Sequence, residues 1–353
     1  MFNESATLFG TCDPVFHRKR REAMNPLFSR RAILKLESSI REKGERLIQV
    51  IALYKDGPVP VDLYSAFRSM TLDVIYDYIY GEDAGAIAYP SFKHAILANT
   101  EAVNQAGGVQ RHLSIIVGRS LESRATEFHE RKAKVQQSGE RVTVLSRIVE
   151  LENPSWHSLV EESQTLTFAG SDTGMEIRKK ALEELSSVCP DSNMSISYEI
   201  LEKLPYLTAI IKESLRLSHG VPVGLLREVQ PTSAWIGGYE IPRGAIVSMG
   251  ATFMHWNDKV FPDPHRFSPE RWLQDQTKEL DSYLVPFSRG PRQCIGMNLA
   301  WCEMYIILGN LFRRLDIEIQ DMSVEDMRDI RFHFVAVLAG KRHLWGAVKD
   351  LVA

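Results

Sequence analysis

Cys294 is one of four cysteines among 353 residues, and its loop, PFSRGPRQCIGMNLAWCEMY, sets it between two glycines and beside two arginines. A thiol becomes a metal ligand or nucleophile when its pKa falls below the free value of ~8.5, as nearby positive charge or a helix N-terminus can cause. Arg289 and Arg292 supply local charge. The apolar run after Gly296 predicts a helix whose positive dipole end faces the sulfur. Gly290 and Gly296 permit backbone shapes and close approaches that a Cβ would block, leaving room for a flat, bulky group. The competing reading is a small buried hydrophobe, the usual fate of a free cysteine.

Other residues also carry chemistry-bearing spacing. Glu213 and Arg216 share a helix face at i, i+3, as a working charge pair or as an ordinary surface pair. Asp172 and Thr173 stand in AGSDT. An acid beside a hydroxyl within a helix can open the backbone ladder and hold water, or the two can cap the helix that follows. Residues 17–21, HRKRR, form a basic run that suits a nucleic-acid or membrane patch. No His/Cys pair has zinc-ligand spacing, and nothing marks a base for Cys294.

The elements that must position these residues are mainly helical. Ile33, Leu36, Ile40, Leu47 and Ile51 predict an amphipathic helix. YSAFRSMTLDVIYDYIYG predicts a second, ended by Gly81. Further helices are expected over 89–108 and near 119–136. Ser158 and Glu161 form a capping box before SLVEESQTLTFAGSDTG. YEILEKLPYLTAIIKESLRLSHG reads as one helix with Leu204, Leu207, Ile211 and Leu215 on a stripe. From Arg227 to Gly250 the glycines, prolines and β-branched residues predict short strands. Residues 257–288 read as loop, Leu299–Leu311 as a buried helix, and FHFVAVLAGKRHLWGAV as a closing hairpin. The expected fold is mainly α with a small β region, in a single domain over 1–353.

Composition narrows the function classes. Apolar residues make up 44% and charged residues 25%, with a net charge of -3, which gives no reason to expect nucleic acid. The cysteines are too sparse for a disulfide framework, so a reducing compartment is expected. The first residues lack the pattern of a signal or transit peptide, and no apolar run reaches the ~20 residues of a membrane span.

Phe287 to Gly296 fits F-x-x-G-x-R-x-C-x-G at every fixed position and resembles the haem-binding loop of cytochrome P450 monooxygenases. Other motifs follow in that family's order. LPYLTAIIKESLRL is similar to its K helix. FPDPHRFSPERW is similar to its P-E-R-F/W segment, AGSDT to its oxygen-binding segment, and HRKRREAMNPLFS to its C helix, with His17 where tryptophan is frequent. HRKRREAMNPLFS and CIGMNLAWCEMY resemble members from filamentous fungi that act in secondary metabolism.

The resemblance implies haem b, with Cys294 as the axial ligand in the loop of Phe287 and Gly296. It places Arg21, Arg227 and Arg292 on the propionates, with His17 beside them. Glu213, Arg216 and Arg271 would form a buried charge triad that holds the loop. Asp172 and Thr173 would manage proton delivery during oxygen activation. The implied reaction inserts one oxygen atom from O2 into an apolar small molecule, with electrons from NADPH through cytochrome P450 reductase. Family members sit on the endoplasmic reticulum membrane facing the cytosol. This chain, without an anchor, is expected to be cytoplasmic or peripheral.

Two departures from the family pattern stand out. Against that pattern the chain is expected to start near the C helix and to lack about 20 residues after Gly174, roughly 30 Å of helix. An inactive relative with a binding or scaffold role is therefore the alternative. A haem-thiolate enzyme that rearranges peroxides or dehydrates without a reductase is a further one, against which Asp172 and Thr173 speak.

Overall fold

The computed structural model describes residues 13–98, 174–218, 224–230, 232–274, 277–320, 330–332, 336–338 and 344–350. Helix α1 (Pro14–Met24) starts where the Asp13 carboxylate accepts from Val15 N at 2.8 Å and Phe16 N at 3.2 Å. These are donors that a helix otherwise leaves open. In α2 (Arg30–Ala52) the stripe from Ile33 to Ile51 is buried, as its spacing predicts. Strand β1 (Val61–Asp62) leads into α3 (Leu63–Tyr80), buried over most of its length and ended by Gly81 at φ +74°.

Next come α4 (Gly174–Val188), α5 (Tyr198–Leu201) and α6 (Pro205–Leu217). The single helix expected from Tyr198 is therefore two. Pro205 has no N–H to give to the preceding turn, so it begins a helix and does not continue one. The expected stripe survives, with Leu204, Leu207, Ile211 and Leu215 all buried.

Four short strands follow, β2 (Arg227–Glu228), β3 (Ala234–Ile236), β4 (Tyr239–Ile241) and β5 (Ile246–Val247), paired antiparallel as β2 with β5 and β3 with β4. Then come α7 (Ala251–His255), a 3-10 turn at Pro269–Leu273 and α8 (Thr277–Tyr283), a helix inside the stretch expected to be loop. The cysteine loop opens α9 (Met297–Arg314).

The last strands are β6 (Leu315–Gln320), β7 (Ile330–Phe332), β8 (Ala336–Leu338) and β9 (Trp345–Asp350). The closing hairpin expected over 332–348 does not form as such: β7 and β8 pair at its front edge, and its last strand pairs elsewhere. β9 lies between β6 and β1, with Leu315 opposite Asp350 and Val61 opposite Gly346. Leu344 and Val348 are buried in the main core, and a local hairpin would not bring that core to them. The helices expected near 119–136 and after Ser158 lie outside the described residues.

The main core packs α2, α3, α6 and α9 together. Asn310 on α9 ties in the loop before α5: its side chain accepts from Ile196 N at 2.8 Å and donates to Ile196 O at 3.2 Å. Beside it, a Cβ on Gly309 would lie 2.3 Å from Leu201 Cδ2, and Leu201 is fully buried. Gly309→Ala should therefore cost about 1–3 kcal/mol through overpacking. Urea unfolding at constant slope would measure it, and an unchanged midpoint would mean that α5 is not seated this closely. Among the described residues no helix is long and apolar enough to cross a membrane.

Candidate active site

The cysteine loop is shaped by its own backbone. Ser288 N donates to Val285 O at 3.1 Å, Gln293 N to Gly290 O at 3.0 Å, and Cys294 N to Phe287 O at 2.9 Å. The last bond closes the loop. Gly290 sits at φ +80°, where a Cβ is strained, while Gly296 has the ordinary φ of -80° and is the N-cap of α9. Of the two glycines read as conformational, only Gly290 uses that freedom. Phe287 anchors the loop in the main core with its ring 6.3 Å from Trp301. Cys294 is half-buried and stands just ahead of the N-terminus of α9.

Beside this loop, positive charge from three separate segments meets at His17, and one of its sources also acts on the thiol. On α1, Arg21 Nη1 donates to the carbonyl of Gln293, the residue before Cys294, and the charge of Arg21 acts on the sulfur. His17, one turn earlier, is buried. Burial pushes its pKa down to about 4, and Arg292, Arg21 and Arg227 push the same way in that order. Arg227 is exposed on β2, and Arg292 is half-buried in the loop. Among the described residues neither Arg21 nor Arg227 has a carboxylate partner within ion-pair distance. Arg21, Arg227 and Arg292 thus form a cationic cluster beside the neutral His17, able to receive carboxylates from a ligand.

The second constellation lies behind the loop. Glu213 and Arg216, both fully buried on α6, pair through Nη2–Oε1 and Nε–Oε2 contacts of 2.9 Å. Arg271 Nε joins at 3.0 Å, Ser268 N and Trp272 Nε1 each at 2.9 Å, so one carboxylate serves five donors. Arg216 also donates to the carbonyls of His255, Pro264 and Arg266. The charges therefore hold the irregular 255–272 stretch, which the strand and helix ladders do not. Asp172 and Thr173, with the segment before Gly174, lie outside the described residues.

The residues fit a haem. A thiolate is a soft ligand suited to iron, and the cationic cluster suits the two carboxylates that haem b carries. Among the described residues no group of three or more His, Cys, Asp or Glu is placed to hold a metal ion, and Cys294 would be the residue to hold the haem iron.

A mainly helical fold that presents one thiol at a helix N-terminus within a cationic cluster is the arrangement used by haem-thiolate proteins. The cytochrome P450 family model matches residues 3–343. The chain is 32% identical over 364 residues to the cytochrome P450 monooxygenase macH of Penicillium terrestre, covering 90% of this chain and 71% of that protein. It is 31% identical over 365 residues to the tryptophan 6-hydroxylase fscE of Fusarium equiseti, covering 91% and 71%. It is 28% identical over 388 residues to the cytochrome P450 monooxygenase claJ of Penicillium crustosum, covering 94% and 86%. The chain belongs to the cytochrome P450 family. Membership brings oxidoreductase and monooxygenase chemistry, haem b as cofactor, and electrons from NADPH through a reductase.

Sequence reading did not find two contacts here. One is the Arg21 bond to Gln293, and the other is the bond from Val285 N to His255 Nε2. The order of residues carries no signal for either, because each joins segments far apart in the chain.

Proposed function

We propose that this chain holds haem b through Cys294 and inserts one oxygen atom from O2 into an apolar small molecule of fungal secondary metabolism. The observation that carries the reading is the cluster of Arg21, Arg227 and Arg292 around the neutral His17, with Arg21 also acting on the half-buried thiol. Haem, when bound, supplies oxygen activation, and the protein supplies the ligand, orientation and proton control.

Arg21, Arg227 and Arg292 would pair with the propionates. Their negative charge would also raise the depressed pKa of His17, whose neutral ring already carries one N–H to donate. Gln293 O, held by Arg21, fixes the backbone just before the ligand. Glu213, Arg216 and Arg271 brace the segment behind the loop. Asp172 and Thr173 would hold and pass the protons that oxygen activation needs. Electrons would arrive from NADPH-cytochrome P450 reductase docked on the face of the cysteine loop, with the protein at the endoplasmic reticulum surface or in the cytosol.

The test is the absorption spectrum of the purified chain, reduced and exposed to carbon monoxide, beside Cys294→Ala. A thiolate-type Soret shift that disappears in the variant is expected. Absence of haem in the unaltered chain would overturn the reading in favour of an inactive relative, and an unchanged spectrum in the variant would remove Cys294 as the ligand.

A further inference from the structure

His255 is the last residue of α7 and is 1% exposed. Both of its acceptors are in use. Its carbonyl accepts from Arg216 Nη1 at 2.9 Å, and its ring Nε2 accepts from Val285 N at 2.9 Å. Val285 is the first step of the cysteine loop. Its carbonyl receives Ser288 N at 3.1 Å, and two residues on, the Phe287 carbonyl receives Cys294 N at 2.9 Å. A continuous path of bonds therefore runs from Glu213 through Arg216 and His255 to Val285, and from there to the thiol.

The geometry also settles the state of the ring. A backbone N–H can only donate, so Nε2 must be without a proton, and the neutral imidazole carries its proton on Nδ1. An imidazolium, or the other tautomer, would set N–H against N–H. The α6 network alone reaches the backbone of the 255–272 stretch. Through the His255 ring, that stretch also takes hold of the loop.

We infer that His255 is a positioning residue for Cys294: its neutral Nε2 pins Val285 and so sets where the closed loop presents the thiol. The spectral part of the test rests on the proposed haem ligation by Cys294, whereas the backbone part does not.

Two variants separate the acceptor from the bulk of the ring. His255→Leu fills the space without an acceptor. His255→Gln can bring an amide oxygen near the position of Nε2. In haem-free protein, amide exchange at Val285 should accelerate roughly tenfold or more in His255→Leu and stay near the original rate in His255→Gln, since a buried donor has lost its partner only in the first. With haem, His255→Leu should lose most of its thiolate-type Soret band on reduction with carbon monoxide, and His255→Gln should keep it.

Equal behaviour of the two variants in the exchange experiment overturns the inference. If the unaltered chain takes up no haem, the reading of the site fails, while exchange at Val285 still decides the role of His255. Should His255→Leu fail to fold, nitrogen NMR of the histidine-labelled unaltered chain decides. The expected result is an unprotonated Nε2 coupled to the Val285 N–H, and a protonated Nε2 at neutral pH overturns the inference.

Discussion

Glu213→Gln should lower the stability of the fold by about 3–5 kcal/mol, the range for removing one partner from a buried ionic network. The substitution keeps the shape and removes the charge. Arg216 and Arg271 would then be buried guanidiniums without a counterion. The geometry adds a second cost. Every group facing the two oxygens is a donor: Arg216 twice, Arg271, Ser268 N and Trp272 Nε1. Whichever way the glutamine amide turns, its NH2 meets donors.

The effect should reach the site, because Arg216 holds His255 and His255 holds Val285. Urea unfolding of Glu213→Gln, Arg271→Met and the double variant would measure it. A coupling of at least ~1 kcal/mol between the two sites is expected for charges in direct contact. Additive losses would mean that the pair acts separately, and a loss under ~1 kcal/mol for Glu213→Gln would show that the network contributes little.

How far this arrangement is legible in the sequence depends on whether an interaction is local. The α2 stripe and the turn at Gly81 are local, and both are found where periodicity and glycine place them. The break at Pro205 is also local, but the apolar stripe from Leu204 to Leu215 runs past the proline and conceals it. The pairing of β9 is not local: its partners start at Val61 and Leu315, and short strands carry no label for a distant neighbour.

The site divides the same way. The cysteine loop and the E-x-x-R spacing are compact enough to be read as motifs. Resemblance puts Arg21, Arg227 and Arg292 on the propionates, but no physical rule of spacing foretells their meeting at His17, since the segments lie so far apart. His255 belongs to no spacing pattern at all, and its position follows only from where α7 ends against Val285.

Glu303→Gln should stabilise the protein at alkaline pH, by on the order of 5 kcal/mol once the carboxyl would have ionised. Glu303 lies in α9, on the helix that leaves the cysteine loop, and faces α3, where Thr71 Oγ1 is 3.3 Å from its Oε2. Its Oε1 is buried and has no hydrogen-bond partner among the described residues. Burial pushes its pKa up to about 8, and the Thr71 contact opposes this only weakly. The neighbouring Cys302 thiol is pushed up as well, so it adds no titration near neutrality.

The sign follows from the two states. Below the ordinary carboxyl pKa of about 4.5, Glu303 is protonated whether folded or unfolded. Between about 4.5 and 8 the unfolded chain has released the proton and the folded chain keeps it, so stability falls as pH rises. Above that window the fold must hold a bare carboxylate between α9 and α3. Glutamine cannot ionise, so its unfolding midpoint should come nearest the unaltered chain below about pH 4 and exceed it increasingly toward pH 8.5. Parallel curves would show that Glu303 is already ionised in the fold. A divergence would identify the α9–α3 contact as the place where alkaline conditions first loosen the helix that carries the thiol loop.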